Sequence, residues 1–327
     1  MKKNIAVVTG GNSSEHVVSL KSADTIENAL DKARYNVYRV LIEEERWTVK
    51  QQGKSDIPIN RDDFSFGQNE AKVRFDCALV AIHGTPGEDG LLQGYFEMLK
   101  IPYTTCDVLV SSLTFNKWAC KKYLSDTTVA MAKAILIRKG DKINAETAIR
   151  RLGLPLFVKP NEGGSSFGIS KVKSVNDMQK AIDEALKEDV NVIVEEFISG
   201  VELTCGLMRA NSELLVFPIT EIVSKKEFFD YEAKYTPGMS DEITPARISP
   251  ELTKRVEDCS CLIYERLGCK GIVRVDYIYN KEKDMLYFLE VNTVPGMTAN
   301  SLVPKQVKEM GKEFGEILDL LIEESIK

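Results

Sequence analysis

Two polar clusters, Arg274-Val275-Asp276 and Glu290-Val291-Asn292, interrupt apolar runs toward the end of the chain. The first lies in Gly-Ile-Val-Arg-Val-Asp-Tyr-Ile-Tyr and the second in Met-Leu-Tyr-Phe-Leu-Glu-Val-Asn, with Asn-Lys-Glu-Lys-Asp between them. Side chains two apart on a strand share a face, so Arg274 points with Asp276 and Glu290 with Asn292. A hairpin would bring all four to one surface. Three oxygen-bearing side chains and a guanidinium there suit Mg2+ held against a phosphate, because that ion takes few protein oxygens and completes its shell with phosphate and water. The alternative is a cross-strand ion pair on a solvated face. Against it stand the flanking Val, Ile, Leu and Phe, since an unpaired carboxylate in a buried hairpin is costly.

A second set of groups suits phosphate and nucleoside. Leu156-Phe157-Val158-Lys159 reads as a strand ending at Pro160, followed by Asn161-Glu162-Gly163-Gly164-Ser165-Ser166-Phe167-Gly168 and a strand over Ile169 to Val172. Three glycines let backbone N–H groups approach a phosphate without Cβ clashes, and Lys159 could meet it as a point charge. The pattern is not a Walker A loop, because the lysine precedes the glycines. A plain flexible hairpin loop is the other reading. Glu195 and Glu196 end the apolar run from Asn191 to Ile198. They serve either edge protection or an adenosine, whose ribose Glu202 is placed to meet. Glu15 and His83 each fall just past a strand end. A single such residue is as readily a turn or cap residue; two at adjacent loops of one sheet favour chemistry.

The elements that must position these groups follow from periodicity. Ile5 to Thr9 reads as a buried strand, then a Gly10–Glu15 turn and a helix from Val17 to Leu30. Phe75 to Ile82 repeats the pattern ahead of His83-Gly84-Thr85-Pro86-Gly87-Glu88-Asp89-Gly90 and another helix. Strand, glycine turn, helix is the grammar of an α/β doubly wound parallel sheet. The spacing is not GxGxxG, so a dinucleotide site is unsupported. Further on, Ser174-Val-Asn-Asp177 reads as a capping box for a helix with Met178, Ala181, Ile182, Ala185 and Leu186 in one apolar stripe. No repeats or low-complexity linkers appear, and the expected units are 1–112, 113–207 and 208–327.

Composition sets the outer bounds. The chain has 327 residues, 43% apolar and 28% charged, enough for two or three domains. No run is long and apolar enough to span a bilayer, and Met-Lys-Lys-Asn leads straight into a strand without a cleavage pattern, so a cytoplasmic location is expected. Seven cysteines without CxxC spacing read as reduced core thiols, Cys77, Cys205 and Cys269 among them, and Cys259-Ser260-Cys261 as helix packing. A net charge of -6 implies no general attraction for nucleic acid or anionic membrane.

Taken together, Val158-Lys159-Pro160 with Gly164-Ser165-Ser166, Glu195-Glu196-Phe197-Ile198 with Glu202, Arg274-x-Asp276 and Glu290-x-Asn292 resemble the ATP-grasp fold. Further motifs carry the resemblance to the D-alanine:D-alanine ligase family: His83-Gly84 with Gly87-Glu88-Asp89-Gly90 and Gln93, Asp230-Tyr231-Glu232-Ala233-Lys234-Tyr235, and Pro295-Gly296-Met297-Thr298 with Ser301-Leu302-Val303-Pro304. They run in family order from Ile5 to about Val303. The resemblance implies an N-terminal α/β domain followed by a two-domain ATP-grasp part of α+β character. It also implies ATP-dependent synthesis of D-alanyl-D-alanine through a D-alanyl phosphate, for peptidoglycan precursors.

By the same resemblance, Lys117 and Lys159 would contact the ATP phosphates. Ser166, Glu195, Glu196, Phe197, Ile198 and Glu202 would complete the nucleotide site, with Ile198 giving backbone contact to adenine. Asp276, Glu290 and Asn292 would hold two Mg2+ ions, for which Mn2+ could substitute. Glu15 would hold the ammonium of the first D-alanine in a trio with Ser165 and Tyr235, while Arg274 and the N–H of Gly296 would stabilise the tetrahedral oxyanion. Lys234, Ser301 and Leu302 would take the carboxylate of the second D-alanine, and His83 and Tyr231 would also contact substrate. The glycine-serine loop and the segment 224–247 would act as lids excluding water from the acyl phosphate. Tyr235, where relatives that make the ester with D-lactate tend to carry phenylalanine, points to D-alanine as acceptor; a homodimer is expected. Val17, Phe229 and Asn300 depart from the family pattern, and residues 43–72 look like a variable insertion.

Overall fold

The computed structural model describes residues 2–69, 71–141, 145–164, 167–224 and 239–327. Its first sheet runs in the order Ile57–Pro58, Arg46–Val49, Tyr35–Glu43, Lys3–Gly10, Cys77–Val80. Strict alternation along Lys3–Gly10 decides what covers each face. Ile5 and Val7 pack with Ala23 and Ile26 of the helix His16–Ala29, and with Ile317, Leu318, Leu321 and Ile322 of the chain's last helix, Phe314–Ile326. Ala6 and Val8 pack on the other side with Leu92 and Phe96 of the helix Leu91–Leu99. A strand buried on both faces reads as a continuous apolar run, which is why the doubly wound pattern was visible in sequence.

Two features add to the expected first unit. The sheet is parallel only through Tyr35–Glu43, Lys3–Gly10 and Cys77–Val80; Arg46–Val49 and Ile57–Pro58 extend it antiparallel. Residues 43–72, read as a variable insertion, are built into this sheet. They supply those edge strands and bury Val49, Ile59, Phe64 and Phe66, with Phe64 ringed by Trp47, Phe75, Tyr95 and Phe96. Aromatic residues scattered among polar ones hide such a cluster, because its contacts come from segments far apart in the chain.

The second sheet is antiparallel, ordered Ser170–Val172, Leu156–Pro160, Asn191–Glu196, Ala134–Arg138, and covered by the helices Ala145–Leu152 and Met178–Glu188. Met178, Ala181, Ile182 and Ala185 are buried as the stripe requires. Asn191–Glu196 is an interior strand, so edge protection does not explain Glu195 and Glu196. Nor does Ser174 cap a helix: its hydroxyl donates to the Asp177 carboxylate at 2.8 Å, and the chain passes through a short 3-10 turn, Val175–Asp177, first.

The third sheet runs Ser240–Ile243, Thr220–Ser224, Val201–Ala210, Ile272–Asn280, Met285–Asn292, Ala130–Met131, with Glu213–Val216 paired to Val201–Ala210. The helix Pro250–Leu267 packs on it, started by Pro250 and by Ser249 accepting from the Leu252 N–H, and stopped by Gly268 at φ 73°. All seven cysteines are free thiols, five of them buried. Among the described residues no helix is long and apolar enough to cross a membrane.

The aromatic cluster makes the revised reading of residues 43–72 testable. Phe64→Ala is expected to lower unfolding stability by about 3–5 kcal/mol, the range for emptying a buried aromatic site. Urea denaturation checks it; a change within about 0.5 kcal/mol, as at an exposed loop, would restore the insertion reading.

Candidate active site

The hairpin forms as its sequence requires. Ile272–Asn280 and Met285–Asn292 pair antiparallel with Arg274 opposite Asn292 and Asp276 opposite Glu290, so the four polar side chains share one face. Asp276 is buried and fully engaged. Its Oδ1 accepts from Thr204 Oγ1 at 2.6 Å and Arg274 Nε at 2.8 Å; its Oδ2 accepts from Arg274 Nη2 at 2.7 Å and Asn292 Nδ2 at 2.9 Å. The two-pronged bond fixes the guanidinium plane. A bulge between Asp276 and Tyr277 ends the regular register next to the cluster, a device that re-aims side chains at sites.

Asp276, Glu290 and Asn292 offer hard oxygen donors, the type that magnesium or manganese takes. The donor set fits such an ion. The Asn292 amide turns its NH2 toward Asp276, which directs its carbonyl oxygen away from that carboxylate. Asp276 would share its oxygens between the ion and Arg274. Among the described residues no group of three His, Cys, Asp or Glu forms a metal site.

A second charged cluster lies where Leu156–Pro160 pairs with Asn191–Glu196. The Glu195 carboxylate is bracketed by two ammonium groups, Lys159 Nζ at 2.6 Å and Lys121 Nζ in closer contact. Burial opposes ionisation of Glu195, but Lys159 and Lys121 outweigh it and hold the carboxyl down to about 2. Burial likewise works against the charge on Lys159, and Glu195 and Glu290 outweigh it, holding the ammonium above its ordinary value. Lys121 was missed in sequence because it sits in an ordinary run with Lys117 and Lys122. Its signal is the spacing of four from Lys117, which puts both on one face of the helix Lys117–Tyr123.

Glu15, Lys117, Lys159, Gly163, Gly164, Phe167 and Glu290 line one cleft of about 480 Å3 between the first unit and the later sheets. Gly164 lies so near Glu15 that a Cβ would come within 2.6 Å of Oε2, so no other residue fits there without displacement. Lys117 Nζ donates to the Gly163 carbonyl at 2.7 Å, and the Lys117 N–H to the Asn161 carbonyl at 3.0 Å. A smaller recess alongside adds Asn292 and Glu88. Glu88, quoted in a motif but given no role, accepts from the Gly84 N–H at 2.7 Å; burial and then the charge of Glu15 push its carboxyl up to about 8. Larger hollows on the first sheet, near Arg39 and Trp47, hold none of the expected site residues.

His83 is buried and acts as a strut. Its Nδ1 donates to the Val294 carbonyl at 2.9 Å, and Nε2 lies 3.4 Å from Ser22 Oγ, which also accepts from the Met297 N–H. Burial lowers its basicity against the pull of Glu15. The first unit thereby holds the turn carrying Gly296. Ser301 faces the same turn: its Oγ accepts from the Thr298 N–H at 3.1 Å instead of capping the helix Leu302–Glu309 that begins at Leu302. A Cβ on Gly296 would meet that Oγ at 2.9 Å.

The remaining residues expected to meet the nucleotide do not line this cleft. Glu196 accepts from the Lys133 N–H at 2.8 Å, and the Phe197 ring carries Lys171 Nζ at 3.7 Å from its centroid. Ile198 is buried, and Glu202 is half-buried at the start of Val201–Ala210. Ser165, Ser166, Tyr231, Lys234 and Tyr235 lie outside the described residues, as does most of the expected lid; its flanks Thr220–Ser224 and Ser240–Ile243 pair antiparallel.

Because Glu195 is held below its ordinary value of 4.5, its ion pairs contribute stability that is full above that value and fades as pH falls toward about 2. Glu195→Gln should therefore destabilise at neutral pH by about 3–5 kcal/mol, leaving two buried ammonium groups unmatched. The deficit should shrink across that acid window, where wild type loses the same charge. Urea midpoints measured at both ends check this, and a deficit independent of pH would contradict it.

Similarity to known proteins identifies the family. The family model described as "D-ala D-ala ligase N-terminus" matches residues 4–106, and "D-ala D-ala ligase C-terminus" matches residues 124–323. A D-alanine–D-alanine ligase of Azobacteroides pseudotrichonymphae is 51% identical over 322 residues, 98% of this chain and 99% of that protein. The VanG D-Ala:D-Ser ligase of Enterococcus faecalis superposes with a TM-score of 0.85 at 34% identity, covering 99% of both chains. The Bacillus anthracis D-alanine–D-alanine ligase complexed with ATP superposes at 0.80 and 31% identity, covering 100% of this chain and 97% of that one. With both halves of the family matched and half the residues identical over nearly the full length, the chain belongs to the D-alanine–D-alanine ligase family.

Proposed function

We propose that this chain is an enzyme that joins two D-alanine molecules into D-alanyl-D-alanine at the expense of ATP, for peptidoglycan precursors. The observation that carries the reading is the 51% identity to a named ligase over 98% of the chain. ATP binding follows the ATP-bound Bacillus anthracis relative. In the first step the carboxylate of one D-alanine attacks the γ-phosphorus and ADP leaves. In the second the amine of the other D-alanine attacks the acyl carbon, and phosphate leaves.

Each residue then has a task consistent with its surroundings. Lys117 and Lys159, both on the cleft wall, would meet the phosphates, with Ser166 beside them. Glu196, Phe197, Ile198 and Glu202 would receive the nucleoside, and Glu195 would act through its lysines. A divalent cation, Mg2+ or in its place Mn2+, would be held by Asp276, Glu290 and Asn292 and would neutralise phosphate charge. Arg274, its plane fixed by Asp276, and the Gly296 N–H would stabilise the oxyanion. Glu15, on the wall facing Gly164, would take the ammonium of the first D-alanine, with Ser165 and Tyr235 completing the trio. Ser301, Leu302, Lys234, Tyr231 and His83 would orient substrate, His83 through the Val294 turn. We further propose the units 1–112, 113–207 and 208–327, a homodimer and a cytoplasmic location; the family match in two parts, 4–106 and 124–323, supports the first boundary.

A specific observation supports keeping D-serine as a second acceptor: the Enterococcus faecalis D-Ala:D-Ser ligase shares the fold at 34% identity. The reading as a whole is tested by phosphate release and dipeptide formation on mixing protein, ATP, Mg2+ and D-alanine, with D-serine in a parallel arm.

Glu290→Gln and Asn292→Ala should each lower dipeptide synthesis by about a hundredfold or more while leaving the thermal midpoint near wild type, since the strand's packing comes from Leu286, Phe288 and Val291. Near-normal turnover by Glu290→Gln at ordinary Mg2+ would remove it from the metal set. Tyr235→Phe should keep some dipeptide synthesis and gain ester synthesis with D-lactate, most at lower pH, where the competing amine is protonated. Equal D-alanine and D-lactate across a pH series measures it; product ratios identical to wild type would take Tyr235 out of acceptor choice.

A further inference from the structure

Two lysines share the carboxylate of Glu195, and the three side chains are only 7%, 9% and 13% exposed for Glu195, Lys121 and Lys159. Each oxygen of Glu195 has its own lysine: Oε1 takes Lys121 and Oε2 takes Lys159. Lys159 reaches the cleft wall, whereas Lys121 and Glu195 lie behind it. A buried carboxylate with a single partner would resist giving that partner up, because the charge left behind would be unmatched. With Lys121 on the opposite oxygen, Glu195 stays paired while Lys159 turns to another anion.

We propose that Lys121 is a positioning residue for the phosphates: it serves as the standing counter-ion of Glu195, so that Lys159 can be shared with a polyphosphate in the cleft. Of the two lysines on Glu195, the one facing the cleft is Lys159, where Glu290 also lies. Lys121 does not line the cleft. Its spacing of four from Lys117 places it one turn behind a second cleft lysine, so one short helix supplies both a wall cation and the hidden counter-ion. The inference rests on the nucleotide reading of the cleft.

The test is calorimetric titration of ATP and of adenosine into wild type, Lys121→Met, Lys121→Arg and the double variant Lys121→Met with Glu195→Gln. Lys121→Met should weaken ATP by about tenfold or more and leave adenosine unchanged, because only phosphate competes with Glu195 for Lys159. Lys121→Arg should bind ATP within a few-fold of wild type. The double variant should recover most of the ATP affinity, since no carboxylate then retains Lys159. Equal losses for ATP and adenosine, or a double variant no better than the single one, would overturn the proposal. Should Lys121→Met fail to fold, the arginine variant and the charge-balanced double variant decide by the same criteria. Wild type that binds ATP without making dipeptide would refute the ligase reading and leave this inference standing.

Discussion

A carboxylate removed from water must find a cation or several N–H and O–H donors within hydrogen-bond distance, and this requirement organises the middle and end of the chain. Asp276 meets it with donors from three adjacent strands: Thr204 on Val201–Ala210, Arg274 on its own strand and Asn292 on Met285–Asn292. A slip of one residue between any two of these strands would turn the donors to the opposite face. The charge thus pins the register, while Val273, Val275 and Val291 between the polar positions bury the other face in the core.

Glu195 applies the same constraint between elements of different kinds. It ties the helix Lys117–Tyr123 to the paired strands Leu156–Pro160 and Asn191–Glu196, drawing Lys121 and Lys159 to one point. Asn161 reinforces the junction, since its carbonyl accepts from the Lys117 N–H and its side chain from the Trp118 N–H. At this end of the cleft Lys117 donates to the Gly163 carbonyl and Lys159 pairs with Glu195, so a polyphosphate would meet groups already oriented and lose little of its binding free energy to ordering them.

The first sheet contributes by contact across long chain separations. Glu15 closes on Gly164, His83 grips Val294, and Ser22 accepts from Met297, so loops after the first strands form one wall of a cleft whose floor comes from the hairpin. The helix Phe314–Ile326 returns to the helix His16–Ala29, where Arg34 pairs with Asp319 and Glu323. That closure fixes the end of the chain against its start.

Sequence by itself determined the hairpin and its four polar side chains, because a period of two is a local property and the apolar residues between them leave one register that buries the correct face. It determined the βα grammar of the first unit for the same reason, and family motifs long enough to exceed chance named the ligase family. Tertiary structure alone decided what depended on partners distant in the chain. Lys121 became a counter-ion only when its helix met Glu195, and Glu88 acquired a raised carboxyl through burial and then the charge of Glu15. Residues 43–72 became core when Phe64 met Phe75, Tyr95 and Phe96, contacts that no local periodicity encodes. The interior place of Asn191–Glu196 likewise came from its neighbours: strand order is a property of the sheet, and an acid pair reads the same on an edge strand as on a central one.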